Sequence, residues 1–108
     1  MSTRLPTHLV VGALLRRVND AGGMAVVLAR GDAQTGGLLV SLADRAGEPR
    51  LVERAFDLDG TARLIDSTPS GAIDDYWRRR RAGDPDLWVI ELDIADGERF
   101  AAETILSD

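Results

Sequence analysis

The fold is decided by Asp74-Asp75-Tyr76-Trp77-Arg78-Arg79-Arg80-Arg81-Ala82-Gly83-Asp84-Pro85-Asp86-Leu87-Trp88-Val89-Ile90-Glu91-Leu92-Asp93. An arginine-ended polar segment runs into Gly83 and Pro85, which punctuate the end of a helix, and an aliphatic run follows at once. In that run Trp88, Ile90, Leu92 and Ile94 fall on one face while Glu91 and Asp93 point the other way, the period-two pattern of a half-buried strand. A helix therefore delivers the chain into a strand whose apolar face needs cover.

Upstream, Thr68-Pro69 reads as an N-cap followed by a first-turn proline, so a helix is expected over residues 68–81 with Ile73, Tyr76 and Trp77 on its apolar face. Downstream, residues 100–105 add a final helical turn. Near the start, Val11, Leu14, Leu15 and Val18 recur at i, i+3, i+4 and i+7, marking a helix over residues 7–21 that Gly22-Gly23 stops. Residues 24–30 and 38–43 are β-branched and aliphatic, and the Gly-rich residues 31–37 between them predict an antiparallel hairpin. A second turn is expected at residues 44–49, followed by a third, more exposed strand at 50–56. Asp59-Gly60 marks a tight turn, with a short extended return at 61–65. The order α-β-β-β-α-β predicts a single α+β domain over residues 1–108, a mainly antiparallel sheet with helices packed on one face.

Composition narrows the chemistry. The 108 residues include no cysteine, which excludes disulfides, thiolate catalysis and Cys-ligated metals. All thirteen basic residues are arginine, so Schiff-base chemistry and a Walker lysine are absent as well. His8 is the sole histidine, too little for a His-rich metal site or a Ser-His-Asp triad. Asp93, Asp96 and Glu98 lack the spacing of a calcium loop and read as a turn. No cofactor, metal site or catalytic residue is expected. The net charge of −5 disfavours nucleic acid and anionic membranes as general partners. That charge is uneven, with residues 1–83 carrying +2 and residues 84–108 carrying −7, which favours oriented or self-complementary association. No apolar run approaches the roughly 20 residues of a membrane span, and the aliphatic stretch ending at Leu15 runs straight into Arg16-Arg17 without a cleavage site. The cytoplasm is the expected location.

Several blocks carry a resemblance: Leu5-Pro6-Thr7, Leu14-Leu15-Arg16-Arg17, Leu28-Ala29-Arg30-Gly31-Asp32, Leu58-Asp59-Gly60-Thr61, Asp74-Asp75-Tyr76 and, above all, the ten residues from Asp84 to Asp93. Over nearly its whole length the chain resembles the short alphaproteobacterial proteins of domain-of-unknown-function family 1491. The resemblance implies a small cytosolic bacterial protein and carries over no activity, cofactor or catalytic residue.

The segment Ala55-Phe56-Asp57-Leu58-Asp59-Gly60-Thr61 matches the nucleophile motif of haloacid-dehalogenase-like phosphatases, where the first Asp is phosphorylated, the second acts as acid and base, and Mg²⁺ binds their carboxylates. Only forty-seven residues follow Thr61 and none is lysine, so a phosphatase using Asp57 and Asp59 is a remote alternative and a hairpin turn the expectation. The run Arg78, Arg79, Arg80, Arg81, with Tyr76 and Trp77 as stacking platforms, is a candidate anion or partner site. Its structural explanation is i,i+4 pairing of Asp74 with Arg78 and Asp75 with Arg79, an Arg80 stem extending the apolar face, and Arg81 paired with Asp84 or Asp86. Arg16, Arg17 and Arg30 converge on an anion only if the first helix crosses the sheet to bring them together.

These readings lead to a non-enzymatic module that binds a protein partner or a second copy of itself. Its expected contacts are Trp77, Arg78, Arg79, Arg80, Arg81, Asp84 and Asp86, with an unpaired sheet edge as a further surface. Replacing Arg80 and Arg81 by Glu is then expected to weaken binding with little change in Tm. Nucleic-acid or phosphate binding through the same arginines is the alternative.

Overall fold

The computed structural model describes residues 5–43 and 48–106. The elements are α1 (Thr7–Asp20), β1 (Met24–Ala29), β2 (Leu38–Ala43), β3 (Arg50–Phe56), β4 (Ala62–Asp66), α2 (Ile73–Gly83), β5 (Trp88–Asp93) and α3 (Gly97–Ile105). The α+β class and every expected element are present. The extended return is β4 and the final helical turn is α3; residues 44–47 of the expected second turn lie outside the described residues.

The first helix ends as its glycines predict. Gly22 takes φ 90°, the Gly23 N–H donates to the Val18 carbonyl at 3.0 Å and the Gly22 N–H to that of Asn19 at 3.1 Å. This 6→1 and 5→2 pair satisfies carbonyls the helix leaves open. Asp59-Gly60 likewise turns β3 into β4, with Gly60 at φ 87° and the Asp57 N–H donating to the Thr61 carbonyl at 2.9 Å.

The sheet order is β1-β5-β2-β3-β4. β5 lies antiparallel to β1 and parallel to β2, and β2, β3 and β4 form an antiparallel meander. The expected hairpin between β1 and β2 does not form, because β5 separates them. The reason lies in Leu87-Trp88-Val89-Ile90, each at most 2% exposed: the run is apolar on both faces and gains most from a place between two other strands. Neighbouring strands lie about 4.8 Å apart, so the connection from β1 to β2 has only about 10 Å to cross.

Trp88, Ile90 and Leu92 do share a face, joined by Leu38, Val40, Leu42 and Val52, and covered by Val10, Val11, Leu14 and Val18 of α1 and Ala101 and Ile105 of α3. α2 is the exception to helices on one face. Leu39, Leu87 and Val89 form a second apolar cluster on the reverse of the sheet, and Trp77 of α2 packs there beside Ala29. β3 is less exposed than expected at its start, with Leu51 and Val52 buried, and half-exposed beyond them.

The second helix begins later than its capping signal. Thr68 is not an N-cap; its hydroxyl accepts the Leu51 N–H at 3.0 Å and its N–H donates to the Asp66 carboxylate at 2.8 Å, tying the chain back to β3. α2 starts five residues on, after Ala72, and none of its residues is fully buried.

Candidate interaction surface

The four arginines of α2 divide into two pairs. Arg80 forms a two-pronged ion pair with Glu53 of β3, Nη1 to Oε1 at 2.9 Å and Nη2 to Oε2 at 2.7 Å, and also donates to the Tyr76 hydroxyl at 3.2 Å. The Arg80 guanidinium, opposed by burial and aided by the Ser67 hydroxyl at 2.7 Å, holds the Glu53 carboxyl below the usual carboxylate range; Glu53 in turn raises Arg80. Arg81 donates to three backbone carbonyls, those of Leu87 at 2.9 Å, Arg30 at 2.8 Å and Pro85 at 2.7 Å, instead of pairing with Asp84 or Asp86. Both side chains fasten α2 to the body of the protein.

Arg78 and Arg79 are exposed and make no ion pair among the described residues. The expected pair of Asp74 with Arg78 does not form: Asp74 accepts the Trp77 indole N–H at 3.0 Å, and Arg78 lies over the Trp77 ring at 5.0 Å. The exposed surface of α2 therefore carries Arg78 and Arg79 together with Asp74 and Asp75, while Trp77 is half-buried against the sheet.

Asp84 and Asp86 belong to a structural hub. The Asp84 carboxylate accepts the Asp86 N–H at 3.2 Å, and the Asp86 carbonyl accepts the Asp32 N–H at 2.9 Å. A Cβ at Gly31 would sit 2.0 Å from that carbonyl oxygen and one at Gly36 2.2 Å from it, so only glycine permits the approach. The Trp88 indole N–H donates to the Asp32 carbonyl at 2.7 Å, and Arg30 stacks over the same ring at 5.3 Å. Asp32 shapes the loop with its carboxylate, which accepts the Thr35 N–H at 2.8 Å and the Gln34 N–H at 3.0 Å; these bonds, those of Thr35 first, lower its pKa. At the start of α1, the buried Thr7 hydroxyl donates to the Gly36 carbonyl at 2.9 Å, and the His8 N–H to that of Ala33 at 2.9 Å. The stretches Leu28 to Asp32 and Asp84 to Trp88, which carry much of the family resemblance, thus meet in space and lock β1, β2 and β5 together.

Arg16, Arg17 and Arg30 do not gather. Arg17 reaches α3, pairing with Glu103 at 2.8 Å and donating to the Thr104 hydroxyl at 2.7 Å; Arg30 lies beyond the far end of β1 and Arg16 is exposed. The Asp57-to-Thr61 segment is an exposed hairpin tip, where Asp57 pairs with Arg63 at 3.1 Å and Asp59 accepts the Thr61 N–H at 3.0 Å.

The further surface expected at an unpaired sheet edge has an apolar candidate in β1. Met24 is 64% exposed, Val26 43% and Leu28 36%, on a strand whose outer edge pairs with no described strand. Met24 and Val26 are register partners of Asp93 and Glu91, on the sheet face that α2 only partly covers. The sequence signal was present: Met24-Ala25-Val26-Val27-Leu28-Ala29 has no polar alternation, so both of its faces are apolar. Periodicity could not say that one face stays open.

No helix among the described residues is long and apolar enough to cross a membrane, and no group of three or more His, Cys, Asp or Glu among them is placed to hold a metal ion. The crystal structure of a DUF1491 family protein from Caulobacter crescentus is 37% identical with a TM-score of 0.80, covering 90% of this chain and 94% of that one. The NMR structure of a DUF1491 family protein from the same organism gives 36% identity and a TM-score of 0.80, over 92% and 94% of the two chains. A protein of A. tumefaciens solved in solution is 28% identical with a TM-score of 0.70, over 85% and 87%. No curated protein matches the chain. The family model described as a protein of unknown function, DUF1491, matches residues 5–102, and the chain belongs to that family.

Proposed function

We propose that this chain is a non-enzymatic, cytoplasmic protein-binding module. The observation that carries the reading is the exposure of Met24, Val26 and Leu28 on a strand with an unpaired edge, Met24 and Val26 lying on the face that also bears Trp77. Exposed strand edges and apolar patches of this kind are docking surfaces for other chains. Arg78 and Arg79 lie on α2 beside the exposed Asp74 and Asp75, and Glu91 and Asp93 add negative charge on β5, so polar contacts can orient a partner as well as hold it. With Arg80 and Arg81 engaged internally, a nucleic-acid or phosphate reading draws on only two of the four arginines.

The test is affinity capture from native lysate with wild type, Val26→Lys and Arg78→Glu/Arg79→Glu, each with and without nuclease. Val26→Lys stays folded by circular dichroism and loses a protein that wild type retains. Retention of the same protein by both variants refutes the surface, and nuclease-sensitive recovery transfers the function to nucleic acid.

A further inference from the structure

We infer that α2 is a releasable strap: it leaves the reverse face of the sheet as one unit, hinged at residues 69–72 and at Gly83, while the rest of the domain stays folded. Closed, it shields the apolar floor of Leu39, Leu87 and Val89; open, it uncovers that floor. Release needs no partner and is independent of the β1 surface.

The strap follows one row of the sheet. Register sets Ala29 opposite Val89, Val89 opposite Leu39 and Leu39 opposite Glu53, so these side chains cross β1, β5, β2 and β3 on a single face. Three side chains of α2 sit along that row. Arg81 donates to the Arg30 carbonyl just past Ala29, Trp77 packs on Leu39, Leu87 and Val89, and Arg80 pairs with Glu53.

The fastening is thin. α1 buries five residues and α3 four, whereas α2 buries none, and the core beneath α1 and α3 contains none of its side chains. Among the described residues, its hydrogen bonds to the body of the protein come from Arg80 and Arg81 alone. Few buried apolar contacts and exposed backbone are the marks of a segment that opens below the global unfolding free energy. Eleven residues are too few for a helix to persist alone in water, so a released α2 unravels and frees its amides.

Each hinge adjoins a firm anchor. Ser67 and Thr68 are bonded to Leu51, and after them Pro69, Ser70 and Gly71 make no hydrogen bond among the described residues. A Cβ at Gly71 or at Gly83 would meet nothing within 4 Å, so neither hinge is packed. Beyond Gly83, the Asp86 carbonyl is held by the Asp32 N–H at 2.9 Å. The chain is thus fixed on both sides of a segment that is itself held by few contacts.

The experiment is native-state hydrogen exchange of the wild type in urea kept below the unfolding transition. Protection of residues 77–83 is at least about tenfold lower than that of Leu14 and Val18 in α1 and nearly flat in urea, because little surface opens, while α1 exchange accelerates steeply. A thiol reads the floor in the same solutions, since the chain has no cysteine of its own. Val89→Cys replaces a residue of the α2 floor and Val40→Cys one beneath α1, both 0% exposed. Val89→Cys reacts with a maleimide at least about tenfold faster than Val40→Cys, and adding Arg80→Ala speeds it a further roughly thirtyfold, the factor for losing the Glu53 pair. Exchange of residues 77–83 in step with α1, at the same rate and with the same urea dependence, overturns the strap. Equal labelling of the two folded cysteine variants overturns it as well, and so does fast exchange graded inward from the helix ends, which is fraying. Where a cysteine variant fails to fold by circular dichroism, exchange in the wild type decides alone.

Discussion

Replacing Arg80 by Ala removes one of the two arginine fastenings of α2. The guanidinium meets both oxygens of Glu53, at 2.9 and 2.7 Å, and the two side chains are only 31% and 19% exposed. A hydrogen bond to a charged group contributes about 1.5–3 kcal/mol. Glu53 keeps its Ser67 bond and part of its hydration, which places the loss near the lower end, about 2 kcal/mol. In a domain of this size 1 kcal/mol moves Tm by roughly 4–8 °C, so Arg80→Ala melts about 10 °C lower. Arg79→Ala, one residue away and solvated, changes stability by less than about 0.5 kcal/mol. The expectation that charge reversal at Arg80 and Arg81 leaves Tm nearly unchanged is revised accordingly, since both side chains are bonded to the body of the protein. The assay is urea unfolding by circular dichroism at pH 7, completed by a double-mutant cycle with Glu53→Ala that returns a coupling of at least about 1 kcal/mol. Equal midpoints for Arg80→Ala and Arg79→Ala, or no coupling in the cycle, refutes the assignment of Arg80 to structure.

Because the folded-state pKa of Glu53 is depressed, its ion pair contributes fully above the ordinary value of 4.5 and is lost as pH falls through the lowered folded value. Glu53→Gln is therefore less stable than wild type at pH 7, and the difference shrinks below pH 4.5 in a series of urea titrations. Gly31→Ala forces a Cβ against the Asp86 carbonyl and costs more than about 2 kcal/mol in urea unfolding, whereas Gly83→Ala, with nothing within 4 Å at the end of α2, is neutral or stabilising by up to about 1 kcal/mol. Trp88→Phe leaves the Asp32 carbonyl without its indole donor and lowers stability by about 1–3 kcal/mol, with faster amide exchange in residues 31–37.

Much of the architecture was legible because it is written locally. The spacing of Val11, Leu14 and Val18, the Gly22-Gly23 stop and the alternation through Trp88, Ile90 and Leu92 each depend on residues within a turn or two of one another. What escaped depends on distant partners. Nothing between Met24 and Ala43 records that Trp88 will donate to Asp32 or that the Asp86 carbonyl will press on Gly31, so a direct hairpin and an inserted strand look alike from within that segment. Thr68 carries a valid capping signal that Leu51, seventeen residues away, takes up instead. The surface was obscured for a related reason. Arg81 bonds to main-chain carbonyls, which every residue possesses, and Arg80 finds Glu53 across twenty-seven residues, so a run of four equal arginines conceals two structural members and two exposed ones. An unpaired sheet edge was expected as a contact surface, but nothing local to Met24, Val26 and Leu28 says that their strand supplies it; the sheet order places it there.

The central claim, that the β1 face is a contact surface in the cell, is tested most directly by thiol footprinting, since the chain has no cysteine of its own. Single-cysteine variants Val26→Cys and Leu58→Cys are labelled with a cell-permeable maleimide in living cells and again as dilute purified protein. The account predicts that Val26→Cys is labelled at least several-fold more slowly in cells than in dilute solution, while Leu58→Cys, fully exposed on its hairpin tip, is labelled alike in both after correction for reagent uptake. Equal labelling of Val26→Cys in the two settings contradicts it.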